Sequence, residues 1–353
     1  MPQMTGSAAA DTRTTATDPL LEVRGLSVAF HTPHGVIRAV RDVSFAIGRG
    51  EVVALVGESG SGKSTIGLAM MRLIEREARA TVSGEIVLHT GPDRPRDLLT
   101  LPDSRMRHVR GNDMAMIFQE PMSSLNPIFT VGDQIVEAIR THEDTGRRAA
   151  GGRALDMLRL LGIPNPEKCL TSYPHQISGG MRQRVMIAMA LSCGPGLLIA
   201  DEPTTALDVT IQAQIVEHLK ELQERTGMSV LFITHDLDLV AEVADRILVL
   251  YAGQVVESGP VSPLFAAPLM PYTQALLVSI PRLGCSRVAD YRLDAIPGNV
   301  PSALDLPPGC AFHPRCAHFA AAVCDATVPP LEAPSGDRLV RCLRWRDIQA
   351  APE

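Results

Sequence analysis

GESGSGKST, Gly57 to Thr65, is the stretch on which the fold turns. The apolar run Val52 to Val56 precedes it, and a segment from Lys63 to about Ile74 that reads as a helix follows. A buried strand feeding a glycine-rich loop that opens a helix is a unit of α/β proteins. The glycines, Gly57, Gly60 and Gly62, let successive backbone N–H groups, with those of Ser59, Ser61 and Thr65, turn toward one anion. The helix N-terminus adds its dipole. Lys63 is spaced to reach the β- and γ-phosphates of a nucleotide, and the Ser64 hydroxyl to coordinate Mg²⁺. Gly57, Gly62, Lys63 and Ser64 all meet the required spacing between a strand and a helix, so an ordinary structural turn is a poor account of them.

Upstream, residues 20–56 alternate apolar and polar side chains and read as several short strands ending in a buried one. Downstream, VSGEIVLHT and MAMIFQ read as two more strands, and residues 121–190 as helical. A polar, Gly- and Arg-rich stretch at 142–153 interrupts them and is expected to be mobile. Leu197 to Ala200 and Val230 to Ile233 are apolar strands with a helix between them. Strands alternating with helices imply an α/β fold whose parallel sheet is covered on both faces. After Pro260 the chain turns rich in Pro and Cys, with one helix at Pro271 to Ser279, and a domain boundary is expected there.

The 353 residues, 45% of them hydrophobic, suffice for one large α/β domain and a smaller appendage. A formal net charge of −6 argues against a nucleic-acid partner, which needs clustered Lys and Arg. The longest apolar runs, Val52 to Val56, Leu197 to Ala200 and Ile247 to Tyr251, are strand-sized and too short to span a membrane. The first eighteen residues, rich in Thr, Ala and Asp, lack the apolar core of a signal peptide and read as a disordered tail. The expectation is a cytosolic chain whose work at a membrane runs through separate subunits.

Two further motifs carry chemistry. In LLIADEP an apolar strand delivers Asp201 and Glu202 to the edge of the sheet beside the phosphate loop. Asp201 suits a Mg²⁺ shell, and Glu202 can polarise an attacking water. Two acids at a strand end are often only solvated; beside such a loop the chemical reading wins. In ISGGMRQR, Ser178, Gly179 and Gly180 open a helix and form a second anion site, or a plain serine N-cap.

Together these motifs resemble the ABC ATPase family, over about Leu20 to Pro260 and in the family order. ISGGMRQR resembles the signature sequence, with Ile177 where Leu is usual. Gln119 resembles the Q-loop glutamine, which senses Mg²⁺ and the membrane partner. TTALD, ending at Asp208, resembles the D-loop, and His235 the switch histidine that contacts the γ-phosphate. Phe30 falls where the family stacks an aromatic ring on adenine. The resemblance implies a P-loop NTPase with a RecA-like core, an antiparallel β subdomain, a helical subdomain at about 121–190, and a small C-terminal extension. The expected division is 1–18, 19–260 and 261–353. Within the family, IFQEPMSSLNPIFTVGDQI, YPHQISGGMRQRVMIAMAL and ALDVTIQAQI resemble the ATPases of oligopeptide and dipeptide permeases, a group that includes nickel importers.

The resemblance implies ATP and Mg²⁺ as ligands and a subunit peripheral to the cytoplasmic face of the membrane. Implied partners are a second ATPase subunit, two transmembrane permease subunits and an extracytoplasmic peptide-binding protein. Two ATPases would sandwich two nucleotides, so Ser178 and Gly180 would serve the partner's ATP. The stretch from Ser123 to Ile135 resembles the surface that receives the permease. A soluble, non-transport ABC ATPase is disfavoured, because neither heptads nor an internal repeat is present.

Four of the seven cysteines, Cys310, Cys316, Cys324 and Cys342, crowd the C-terminal end, where VPSALDLPPGCAFHPRCAHF resembles the extension of the peptide-permease ATPases. Four thiolates can staple a Pro-rich segment through zinc or an iron–sulfur cluster. The absence of paired C-x2-C knuckles disfavours zinc, and the resemblance implies a [4Fe–4S] cluster; reduced thiols without metal are the third reading. Cys169, Cys193 and Cys285 stand apart and read as ordinary core or surface residues.

Overall fold

A computed structural model describes residues 18–74, 79–90, 95–119, 125–204, 209–279 and 296–350. The chain opens with a long hairpin, β1 (Pro19–Thr32) and β2 (Gly35–Gly48), each of 14 residues. Ahead of the expected buried strand, which is present at Val52–Val56, the short strands expected from residue 20 are thus two long ones. Register shifts between Val23 and Leu26, Leu26 and Val28, and Val28 and Ala29 reset the alternation, so the sequence looks broken where the strands continue. β4 (Ala80–Leu88) and the two-residue β5 (Arg96–Asp97) complete a four-stranded sheet in the order β2-β1-β4-β5, antiparallel throughout.

The second sheet has eight strands. Its parallel body is β6 (Met114–Ile117), β7 (Leu197–Asp201), β8 (Ser229–Thr234), β3 (Val52–Val56) and β9 (Arg246–Tyr251), adjacent in that order. Every residue of these five strands is buried, which follows from cover on both faces. Alternate side chains divide between them: Val53, Leu55, Ile199 and Leu231 join Leu21, Phe45 and Ile47 of the antiparallel sheet in one core. Val52, Ala115, Leu198, Val230 and Phe232 face a second core under the helices.

Helix α1 (Lys63–Met70) starts from the phosphate loop and ends four residues before Ile74, where Arg72 takes a left-handed φ of 50°. After α2 (Asp103–Asn112), a helical layer is built from α3 (Val131–His142), α4 (Arg147–Leu160), α5 (Pro166–Thr171) and α6 (Gly179–Leu191). The mobile stretch expected at 142–153 is corrected here, since α4 runs through much of it. Its glycines, Gly151 and Gly152, face open space, while Ala150, Ala154 and Leu158 of the same helix are fully buried in the second core. Tertiary burial at that spacing outweighs the helix cost of two glycines.

α7 (Val209–Thr226) and α8 (Leu237–Val243) connect β7, β8 and β9, and β10 (Gln254–Pro260) returns antiparallel to β9. The tail begins with α9 (Val261–Ala266) and α10 (Pro271–Val278), within a residue of the helix expected there. It then adds β12 (Arg338–Val340) to β10 and β11 (Glu332–Ser335) to β12, extending the sheet, before α11 (Trp345–Ala350). Phe312 packs edge-on against Tyr251 of β9, with ring centroids 5.3 Å apart and planes at 87°, and 5.3 Å from Tyr272 of α10. The tail therefore shares a core with the parallel sheet. Beneath it the fully buried Glu257 accepts from the Leu269 and Met270 amides at 2.8 and 3.0 Å and pairs with Arg338 at 2.9 Å.

Candidate nucleotide site

The loop after β3 is pressed between two backbones. Gly57 has φ 150°, and a Cβ there would lie 2.2 Å from the Leu250 carbonyl oxygen of β9. At Gly62, φ 103°, it would lie 2.4 Å from the carbonyl oxygen of Ala39 in β2. Only glycine fits both positions. Lys63, 6% exposed, is the first residue of α1, and its Nζ donates to the carbonyls of Gly57 at 2.7 Å and Glu58 at 3.1 Å. Burial pushes this ammonium below the usual lysine pKa, against the opposing pull of the Glu202 and Asp201 carboxylates. Ser61 Oγ is buried without a hydrogen-bond partner among the described residues. A left-handed glycine loop, a buried cation and an orphaned hydroxyl at a helix N-terminus suit a chain of phosphates.

The acidic wall comes from adjacent strands. Asp201, 3% exposed at the end of β7, accepts from Ser64 Oγ at 3.0 Å. Burial raises its pKa, and the Ser64 bond works the other way. Glu202 follows in a left-handed conformation, φ 46°, a strained backbone of the kind found at functional sites. Its amide is tied to the Ile233 carbonyl at 2.9 Å. Its carboxylate accepts from Gln119 Nε2 at 3.1 Å on one oxygen, and His235 Nδ1 lies 3.2 Å from the other. Gln119 follows β6 and His235 follows β8, so three neighbouring strands deliver one contiguous group at their C-terminal ends, where open α/β sheets bind ligands. Ser64 and Asp201 are hard oxygen donors and fit Mg²⁺, which keeps waters and phosphates as its other ligands.

The remaining candidates lie elsewhere. Ser178 caps α6, its Oγ accepting from the Met181 amide at 3.3 Å, and Ser178 and Gly179 are exposed. Gly180 faces Ile211 of α7, where a Cβ would lie 3.4 Å from Ile211 Cγ2. The buried Gln183 of α6 donates to the Pro203 carbonyl, connecting this helix to the acidic wall. Phe30 is half-buried in β1, cross-strand from Ile37 and Ala80, and packs against the first core. Asp208 and Cys285 lie outside the described residues, as does the beginning of the stretch from Ser123.

In the tail, Cys310, Cys316, Cys324 and Cys342 line one cavity and are free of disulfides. Burial raises the pKa of Cys310 and Cys316, and that of Cys342 to about 11. Among the described residues no group of three or more His, Cys, Asp or Glu side chains is arranged to hold a metal ion. The cysteines thus meet around one space without forming a ready-made ligand set for a single ion. Cys169 is buried in the second core, and Cys193 is half-buried beside the Ala138 carbonyl.

Sequence reasoning missed one set of contacts. Glu58, inside the phosphate loop, is forked by the tail's Arg315 at 2.6 and 2.9 Å, and its amide donates to the Tyr272 hydroxyl at 2.9 Å. No local signal joins positions so far apart in the chain.

Fold and loop together define a P-loop nucleotide-binding protein of the α/β class. The ABC transporter family pattern matches residues 40–205, and the pattern of the oligopeptide/dipeptide transporter C-terminal region matches residues 256–324. A Brucella melitensis protein, provisionally named a peptide import ATP-binding protein, is 51% identical over 335 residues, covering 94% of this chain and 99% of its own. The dipeptide transport ATP-binding protein of Haemophilus influenzae is 50% identical over 323 residues, covering 92% and 94%. Among solved structures, the dimeric ATP-binding cassette MJ0796 in a post-hydrolysis state with ADP and phosphate is similar at a TM-score of 0.61 and 27% identity, covering 68% of this chain and 98% of that one. The chain belongs to the ATP-binding subunits of ABC transporters that carry the oligopeptide/dipeptide C-terminal region. It is an ATPase coupled to transport, of the kind that works with permease subunits. Among the described residues no helix is long and apolar enough to cross a membrane.

Proposed function

We propose that the chain hydrolyses ATP to drive an importer of oligopeptides or dipeptides. The observation that carries this reading is the union in one chain of the site around Glu202 with the tail of residues 256–324. The N–H groups of Gly57 and of Ser59 to Thr65, with the Lys63 ammonium, bind the phosphates, and Phe30 stacks on adenine. Ser64, Asp201 and Gln119 would hold Mg²⁺, which when bound would supply charge neutralisation at the phosphates. Glu202 orients the attacking water and accepts its proton, and His235 contacts the γ-phosphate.

Ser178, Gly179, Gly180 and Asp208 act on the nucleotide of a second, homologous ATPase subunit, whose signature serves the ATP held by Lys63. The exposure of Ser178 and Gly179 supports that reading. The pair rests on two permease subunits at the cytoplasmic face of the membrane, fed by an extracytoplasmic peptide-binding protein. We assign 19–260 to the ATPase domain, with its helical part at about 121–190, and 261–353 to the extension. In the assembled complex, hydrolysis is expected to rise several-fold with di- or oligopeptides and their binding protein. Stimulation by nickel ions instead would replace the cargo.

Cys310, Cys316, Cys324 and Cys342 are proposed to hold a [4Fe–4S] cluster, supported by their shared cavity and four-thiol donor set. Such a cluster staples the tail without any part in the ATP chemistry. Anaerobically purified protein is expected to be brown, with about four iron and four sulfide per chain, and Cys324→Ser should lose most of both. Stoichiometric zinc would replace the cluster, and a metal-free protein would leave four thiols.

A further inference from the structure

Arg315 is a buried cation whose target lies in the phosphate loop. Its side chain is 4% exposed, and Nε donates to the Pro297 carbonyl at 2.9 Å. The guanidinium carbon stands 6.0 Å from the Tyr251 ring centroid and 5.9 Å from that of Phe312. These contacts fix the fork before it meets its partner, and the two terminal nitrogens take one Glu58 oxygen each. Planar two-point pairing of this kind sets orientation as well as attraction. Glu58 is engaged from three further directions: its carbonyl accepts from Lys63, its amide donates to Tyr272, and it neighbours Gly57 at its left-handed turn. The tail thus holds the backbone of a loop whose N–H directions determine how it meets phosphate.

We infer that Arg315 is a positioning residue for the nucleotide: through Glu58 the tail keeps the phosphate loop in its binding shape, so ATP affinity depends on a docked tail. Arg315 touches no reacting atom and sets affinity by pre-ordering the loop, leaving the chemical step to the acidic wall. The tail side of the connection is short. Arg315 closes the turn His313–Arg315, whose first amide donates to the Cys310 carbonyl, and Cys316 follows directly. Disorder among the cysteines therefore has a short path to the loop through Arg315.

This inference rests on reading Gly57 to Thr65 as the ATP loop, and its test separates the two. Arg315→Gln, Arg315→Lys, Glu58→Gln and the double variant Arg315→Gln/Glu58→Gln are compared with the wild type in the full chain. The measurements are binding of a fluorescent ATP analogue, KM and kcat for ATP in the assembled transporter, and the thermal midpoint without nucleotide. Arg315→Gln and Glu58→Gln are each expected to raise Kd and KM by about tenfold, as for loss of one charged hydrogen-bonded pair. With ATP saturating, kcat stays within about twofold, because only binding is affected. The double variant should bind no worse than either single one, the mark of a shared interaction, and Arg315→Lys should recover part of the affinity. Glu58→Gln breaks the same pair without altering the tail, so the test survives poor folding of an Arg315 variant. Unchanged ATP affinity in Glu58→Gln and Arg315→Gln, or a lower midpoint with no change in KM, would overturn the inference alone. A wild-type chain that binds no ATP would overturn the loop reading and this inference together.

Discussion

Turnover in a Glu202→Gln chain is expected to fall by about 10²- to 10⁴-fold, the usual scale for a lost general base, while ATP binding is retained. The substitution keeps size and hydrogen-bonding reach, so the bond from Gln119 and the approach of His235 can persist. It removes the negative charge and the proton-accepting oxygen. An uncharged amide still occupies the strained position after β7 but no longer activates water, so the nucleotide stays bound and uncleaved. The check is ATP binding and single-turnover hydrolysis in the assembled complex, with the corresponding change made in each ATPase subunit in turn. Near-normal hydrolysis at this subunit's own site would remove Glu202 from the role.

Lys63→Ala is expected to weaken ATP binding at the chain's own loop by about 10- to 100-fold, the range for a charged hydrogen bond to an anion. Lys63 lies buried under the loop, bonded to the Gly57 and Glu58 carbonyls, with no second lysine in the motif to substitute for it. Ser178→Ala forms the contrast. Its hydroxyl caps α6 and faces outward, so the isolated chain should bind ATP normally while hydrolysis at the partner's site declines. Nucleotide titration of the isolated chain, followed by turnover of the pair, distinguishes the two. Equal loss of binding in the isolated chain from both changes would contradict a nucleotide sandwiched between subunits.

What could be read from the sequence was local. The loop shows in nine residues because its glycines answer steric demands of the backbone within a few positions, and the buried strands show because each is continuously apolar. The acids after Ala200 were findable once the loop was known, since sheet topology sends both to the same edge. The hairpin of β1 and β2 was misjudged as short strands because bulges erase alternation without ending a strand. Residues 142–153 misled because composition records three glycines and several arginines but not the burial of Ala150 and Ala154. The docking of the tail was invisible for another reason. Phe312 against Tyr251, Val340 beside Glu257, and Arg315 on Glu58 each join distant positions, and no window of sequence contains both members.

That separation sets a timetable for the newborn chain. Glu58 and Arg315 are 257 positions apart, and ribosomes add roughly 5–20 residues per second, so roughly ten to fifty seconds divide the synthesis of the two. During that interval the loop emerges without its fastening, and β10 has no β12 to cover its outer edge. An uncovered strand edge is where two nascent chains on one messenger can pair wrongly. The finishing strand is short and carries Pro334 in β11 at the new border, which withholds a donor from any further strand. A part of the chain made long after the rest of the sheet thus closes this border to neighbouring chains.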